Sequence, residues 1–126
     1  MALAITTRKI NEVTVVHCAG KITLGEESAA LREQVKDLIS TSRQIVLDLG
    51  QISYIDSSGL GMLVALYTSA RNAGGNIKMA NLNSRSRELL QVTRLYTVFE
   101  TYDSAEDAAR SFTAPAVRSG AAGRLL

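Results

Sequence analysis

The five residues Ile45-Val46-Leu47-Asp48-Leu49 constrain the fold more than any other stretch of the chain. A run this short and this apolar fits a central strand covered by other layers on both faces. The next segment sharpens the picture. Asp56-Ser57-Ser58-Gly59 opens a second periodic stretch, predicted as a helix over 58–73, with Leu60, Leu63, Val64 and Tyr67 as its apolar stripe. Gly74-Gly75 stops that helix, because glycine tolerates the left-handed conformation in which helices often end. A buried strand feeding a helix is the unit from which α/β sheets are built.

The rest of the chain repeats that alternation. Residues 3–9 and 13–19 read as strands, the second rich in β-branched side chains, and the polar break Asn11-Glu12 makes them a hairpin. A helix is predicted over 26–40, where Leu31, Val35, Leu38 and Ile39 share a face and Glu26 and Glu27 sit in the first turn. Asn76–Asn81 alternates as a strand, 84–92 reads as a third helix with Leu89, Leu90 and Val92, and 98–101 as a short strand. Asp103-Ser-Ala-Glu106 resembles a capping box for a last helix to about 111. The expected fold is therefore a single α/β domain over 1–112, with a mixed, mostly parallel β-sheet, an N-terminal β-hairpin and four helices. From residue 113 to 126 proline, glycine and alanine replace the pattern, and a flexible C-terminal tail is expected.

Composition narrows the function. Apolar residues make up 46% and charged residues 21%, as in ordinary globular domains. No apolar run is long enough to span a bilayer, so no membrane insertion is expected. The first nine residues lack the pattern of a secretory signal, and the lone Cys18 has no partner for an internal disulfide, so a reducing, cytoplasmic location is expected. The net charge of +2 comes from Arg118 and Arg124 in the tail, which leaves twelve basic against twelve acidic residues before it. With no basic stripe and 5% aromatic residues, direct nucleic-acid binding is not expected.

The segment Ile52–Gly61 carries the functional signal. It lies where a central strand hands over to a helix, the place at which α/β sheets meet ligands and partners. Asp56 or Ser57 can cap the helix, and the glycines permit tight backbone geometry, so a purely structural role is open at this point. Leu60 and Met62 fit either core or interface positions.

Asp56-Ser57-Ser58-Gly59-Leu60-Gly61, preceded by the strand Ile45–Leu49, resembles the signature of bacterial anti-sigma factor antagonists of the STAS domain family. The resemblance spans about residues 5–111, with Gly20 after the second strand, Gly74-Gly75, and the helix around Leu89-Leu90. It implies a non-enzymatic switch. The serine after the aspartate, here Ser57 with Ser58 as the alternative, is phosphorylated by a partner that is both serine kinase and anti-sigma factor. The unphosphorylated form binds that partner and frees the sigma factor, and a serine phosphatase restores it. The implied partner-binding residues are Asp56, Ser57, Ser58, Gly59, Leu60, Gly61 and Met62, with Lys21 and Thr23 after the second strand. Many antagonists carry an acidic pair there, so Gly20-Lys21-Ile22-Thr23 departs from the pattern. A STAS subunit of a membrane lipid-transport ATPase, or of a stress-signalling scaffold, is the alternative role on the same fold.

Other chemistries find little to stand on. A serine hydrolase needs a base, and the only histidine, His17, lies in an early strand; the Gly-x-Ser-x-Gly elbow is missing. Gly59-Leu60-Gly61 begins like a dinucleotide loop, but Val64 stands at the third glycine position, so no cofactor is expected. One cysteine, one histidine and scattered carboxylates suggest no metal site.

Overall fold

The computed structural model describes residues 3–113. Its elements are β1 (Ala4–Ile10), β2 (Val13–Ile22), α1 (Glu26–Ile39), β3 (Gln44–Ile55), α2 (Ser57–Asn72), β4 (Asn76–Ala80), α3 (Ser84–Val92), β5 (Thr101–Tyr102) and α4 (Ala105–Thr113). The sheet order is β1-β2-β3-β4-β5. β1 and β2 form the antiparallel hairpin, and the remaining pairs are parallel. The mixed sheet, the hairpin and the four helices of the sequence reading are all present. The tail was expected from residue 113; Thr113 is the last residue of α4, and residues 114–126 lie outside the described residues.

β3 is the central strand, with β2 and β4 on its two sides. Its alternate residues Ile45, Leu47 and Leu49, and Ile52 three positions further on, face a core shared with Leu31 and Val35 of α1, Leu60, Leu63 and Leu66 of α2, and Leu90 of α3. Val46 faces the other way, with Val13, Val15 and Ala80, onto Ala105, Ala108 and Ala109 of α4. Small alanines let α4 lie close to the sheet, which is how a short helix covers that face.

Asp48 is the polar exception in the apolar run, and the structure accounts for it. Its carboxylate takes the His17 Nδ1 at 2.8 Å on Oδ2, and the Gly50 N–H at 3.1 Å and Asn81 Nδ2 at 3.0 Å on Oδ1. Arg8 Nε donates to His17 Nε2 at 2.9 Å, and an Arg8 Nη reaches Glu106 at 3.2 Å. His17 therefore holds its proton on Nδ1, clamped between β1 and β3.

Four boundaries differ from the sequence reading. β2 does not end at Gly20: it continues through Gly20 and Lys21, expected after the strand, to the buried Ile22. β3 runs on through Ile52-Ser53-Tyr54-Ile55, where a turn was expected. Ile52 and Ile55 remain buried, and Ser53 Oγ donates to the Gly20 carbonyl, so β2 stays attached across two register shifts. Of the strand expected over 98–101 only Thr101 belongs to β5; a 3-10 turn at Leu95–Thr97 precedes it, and Phe99 turns inward to pack edge-on against Tyr67. The cap of α4 is Ser104, whose Oγ accepts the Asp107 N–H, so the expected box at Asp103 and Glu106 is one residue early. The end of α2 is as expected. Gly74 has φ of 87°, and the Gly75 and Gly74 amides return to Ala70 and Arg71 at 2.8 and 3.0 Å, a Schellman ending.

Cys18 is buried beneath this sheet, and burial pushes its thiol up from 9.0 to about 12, with the charge of Asp48 acting in the same direction. The folded state thus holds this proton more tightly than the unfolded chain. The associated stability is complete below about pH 9 and declines as pH rises towards 12. At neutral pH a thiol reagent is expected to leave the native protein unlabelled and to react along the urea unfolding curve. Stoichiometric labelling without denaturant would refute this burial.

Candidate functional site

β3 brings the chain to the C-terminal edge of the sheet at Ile55, and Asp56 turns it into α2. Asp56 is extended, with φ of −92° and ψ of 179°, and is the N-cap. Its Oδ1 accepts the Gly59 N–H at 2.7 Å, and its Oδ2 accepts the Leu24 N–H at 3.2 Å. Its own N–H donates to the Ile22 carbonyl at 3.2 Å. One carboxylate therefore starts the helix and also pins the loop that follows β2. The cap left open between Asp56 and Ser57 belongs to Asp56.

Ser57 and Ser58 are consequently the first residues of the helix, and both are exposed. Neither hydroxyl makes a hydrogen bond among the described residues. Gly59 is different: a Cβ there would lie 2.1 Å from the Ile22 carbonyl oxygen, so helix and strand meet backbone to backbone. A Cβ on Gly61 would meet nothing within 4 Å. Leu60 is in the core, and Met62 is half-buried at its margin.

Two surface grooves flank the start of α2. One, of about 350 Å³, is lined by Ser57 and Asp56 with Tyr54, Arg85, Leu89 and Val92 among its walls. The other, of about 210 Å³, holds Ser58 and Met62 with Thr23, Leu24 and Arg32. Large apolar side chains stand in solvent here, with Val92 73%, Leu24 82% and Tyr54 44% exposed. Lys21 lines neither groove but is exposed and lies in register beside Tyr54. Of the expected site residues, Ser57, Ser58, Thr23 and Met62 share this rim, Lys21 adjoins it, and Gly59 and Leu60 lie beneath it.

A family model described as the STAS domain matches residues 4–108. The chain belongs to the STAS domain family. An anti-sigma-B factor antagonist of Bacillus subtilis is 31% identical over 85 residues, covering 68% of this chain and 77% of that protein. An anti-sigma factor antagonist from Mycobacterium paratuberculosis superposes with TM-score 0.77 at 21% identity, covering 90% of this STAS domain chain and 96% of that one. The Bacillus cell fate determinant SpoIIAA in its phosphorylated form gives TM-score 0.62 at 20% identity, covering 86% and 99%.

Sequence reasoning did not find Tyr54, Leu24, Val92 or Arg85 at this site. Tyr54 lies in the stretch read as a turn, and its outward direction follows only from β3 continuing past it. Val92 was grouped with Leu89 and Leu90 as apolar helix residues, yet at the last position of α3 it points to water. Among the described residues no cluster of His, Cys, Asp and Glu is arranged to hold a metal ion, and no helix is long and apolar enough to cross a membrane.

Three substitutions test this architecture in urea denaturation. Asp56→Ala removes the cap and the Leu24 tether and is expected to cost about 1–2 kcal/mol. Gly59→Ala forces the Ile22 backbone apart and is expected to cost about 2–3 kcal/mol. Gly61→Ala fills open space inside a helix and is expected to stabilise by up to about 1 kcal/mol. Equal effects at the two glycines would contradict the close approach at Gly59.

Proposed function

We propose that this protein is a cytoplasmic anti-sigma factor antagonist switched by phosphorylation of Ser57. The observation that carries this reading is the division of labour at the turn. Asp56 takes the capping role, which leaves the Ser57 hydroxyl exposed on a rim of exposed apolar side chains. A kinase needs an accessible hydroxyl, and a partner interface needs apolar anchors beside it. The relationship to proteins named anti-sigma factor antagonists supplies the class of partner.

In this reading the unphosphorylated rim docks on an anti-sigma factor that is also a serine kinase. Phosphorylation places roughly −1.5 to −2 charges in the contact, and a serine phosphatase removes them. The phosphate acts outward rather than on the fold. At the first turn of α2 it meets the positive end of the helix dipole and, in the same groove, Arg85, with Asp56 and Glu88 opposing it by like-charge repulsion. The phosphorylated form of SpoIIAA shares the fold, which supports an outward effect. The partner face comprises Ser57, Ser58, Met62 and Thr23, with Lys21 at its edge. Lys21 in place of an acidic residue calls for a matching change in the partner.

Intact mass after incubation with ATP and a cognate serine kinase tests the switch. One phosphate is expected on the native chain and on Ser58→Ala, and none on Ser57→Ala. Phosphate on Ser57→Ala would move the acceptor to Ser58. No transfer from an active kinase, with co-purification of a transport ATPase, would favour the subunit role instead. The melting temperature is expected to stay within a few degrees on phosphorylation. A second test concerns the rim. Val92→Asp alters an exposed side chain and is expected to leave stability within about 0.5 kcal/mol. It is expected to weaken binding of the anti-sigma factor about tenfold or more by calorimetry. Unchanged affinity would remove Val92 from the interface.

A further inference from the structure

The opposite edge of the sheet carries a groove that the switch does not use. It has a volume of about 360 Å³ and lies where β3 and β4 begin, α2 ends and α4 finishes. Three cationic side chains line it, Arg43, Arg71 and Lys78, and no carboxylate is among the lining residues. The Arg43 and Arg71 side chains make no ion pair or hydrogen bond among the described residues.

Lys78 sits at the back. Its side chain is only 8% exposed, in a strand whose other residues are mostly apolar. Its Nζ donates to Ser111 Oγ at 2.7 Å and lies 3.3 Å from Glu100 Oε1 and 4.3 Å from the centre of the Phe112 ring. Glu100 balances Lys78 from outside the groove wall. The charge left facing the groove is therefore that of the two arginines, close to two units.

The surroundings hold these groups in place. A Cβ on Gly75 would lie 2.5 Å from the Arg43 carbonyl oxygen, so the backbone before β3 is pressed against the end of α2. A Cβ on Gly74 would come within 3.1 Å of Arg43 Nη1, so the guanidinium lies over that glycine. The Gly74, Gly75 and Asn76 amides are already bonded to backbone carbonyls. An incoming anion would thus meet side chains. Asn76 Oδ1 accepts the Ile77 N–H at 2.9 Å, which fixes the amide and leaves Nδ2 as a donor. Arg71 in the last turn of α2 also offsets the helix dipole, but that gives no reason for Arg43 to converge on the same space.

We infer that this groove binds a phosphate group, taken by Arg43 and Arg71 with Asn76 Nδ2 and the Lys78–Ser111 pair behind them. Two guanidinium groups match the charge of a phosphate monoester, and the planar fork of each can bond two of its tetrahedrally placed oxygens, which a single-point anion does not offer. The size lies at the lower end of small-ligand sites, which fits a small organic phosphate or one lipid headgroup.

Amide chemical-shift titration of the full chain with inorganic phosphate, at ionic strength held constant with chloride, tests this. Saturable shifts are expected at Arg43, Gly74, Gly75 and Asn76. The double variant Arg43→Gln/Arg71→Gln, which alters two exposed side chains, is expected to weaken them about tenfold or more. Co-sedimentation with phosphatidylcholine vesicles, with and without phosphatidic acid, separates the two sources of phosphate. Binding to the phosphatidic acid vesicles that the double variant loses would place the group on a lipid. Soluble binding without co-sedimentation would place it on a small molecule. Shifts that are linear, or unchanged in the double variant, together with no vesicle binding, would overturn the inference. Because this groove lies at the other edge of the sheet, Ser57→Ala is expected to leave the titration unchanged.

Discussion

The carboxylate of Asp56 is the interaction on which the candidate site depends. A helix start leaves four N–H groups without partners, and an aspartate at the cap is a common remedy. Here the second oxygen also reaches the Leu24 amide, so the β2–α1 loop and the β3–α2 junction become one piece. Gly59 completes the seam by allowing the helix to touch the Ile22 carbonyl. The exposure of Ser57 is a consequence of this arrangement. Were serine the cap, its hydroxyl would be tied to the helix backbone and poorly placed for reaction. With aspartate in that role, Ser57 and Ser58 are free of the capping bond and stand exposed, while Leu60 on the same turn enters the core.

The parallel strands then give the molecule two unlike ends. At their C-terminal ends lie the α2 start, two grooves and exposed apolar side chains, as open α/β sheets usually arrange a binding edge. At their N-terminal ends the strands are met by helix C-termini, where unpaired carbonyls favour cations. Arg71 and the Gly74-Gly75 ending belong to that chemistry. The antiparallel hairpin adds β1 as an edge strand, and the Arg8–His17–Asp48 chain ties it through β2 to the centre of the sheet. Polar groups in a central strand are tolerated because each acceptor of Asp48 has a donor.

Most of the architecture was legible in the residues, because it rests on periodicity. The run at 45–49 fits a covered strand best, and the stripes of α1 and α2 have a clean helical repeat. What escaped was set by tertiary contact. β3 extends past Leu49 because Ile52 and Ile55 find a core that no local pattern announces. Asp103 and Ser104 are equally good caps on paper, and only the docking of Ala105, Ala108 and Ala109 against the sheet selects Ser104. The Asp56–Gly61 motif marked the site, but its rim did not show. Tyr54, Leu24 and Val92 come from three separate elements, and nothing in the order of residues says that their apolar side chains converge in solvent.

Helix α2 links the two ends electrostatically. Its sixteen residues span about 24 Å, with Ser57 at the positive pole and Arg71 at the negative pole. Negative charge added at Ser57 would meet the favourable end of the helix dipole and Arg85, opposed by the carboxylates of Asp56 and Glu88 that line the same groove. On the proposed reading, a phosphate here would have little power to unfold the domain. Its leverage lies in the partner, whose apolar contacts with Tyr54, Leu24 and Val92 would have to form beside a fresh, strongly hydrated charge. Burying that charge costs far more than exposing a few side chains. The proposed switch would separate the stability of the domain, held by Asp56 and Gly59 on the inside of the turn, from an affinity set by the hydroxyl on the outside. The two can then be tuned by different residues of one six-residue segment.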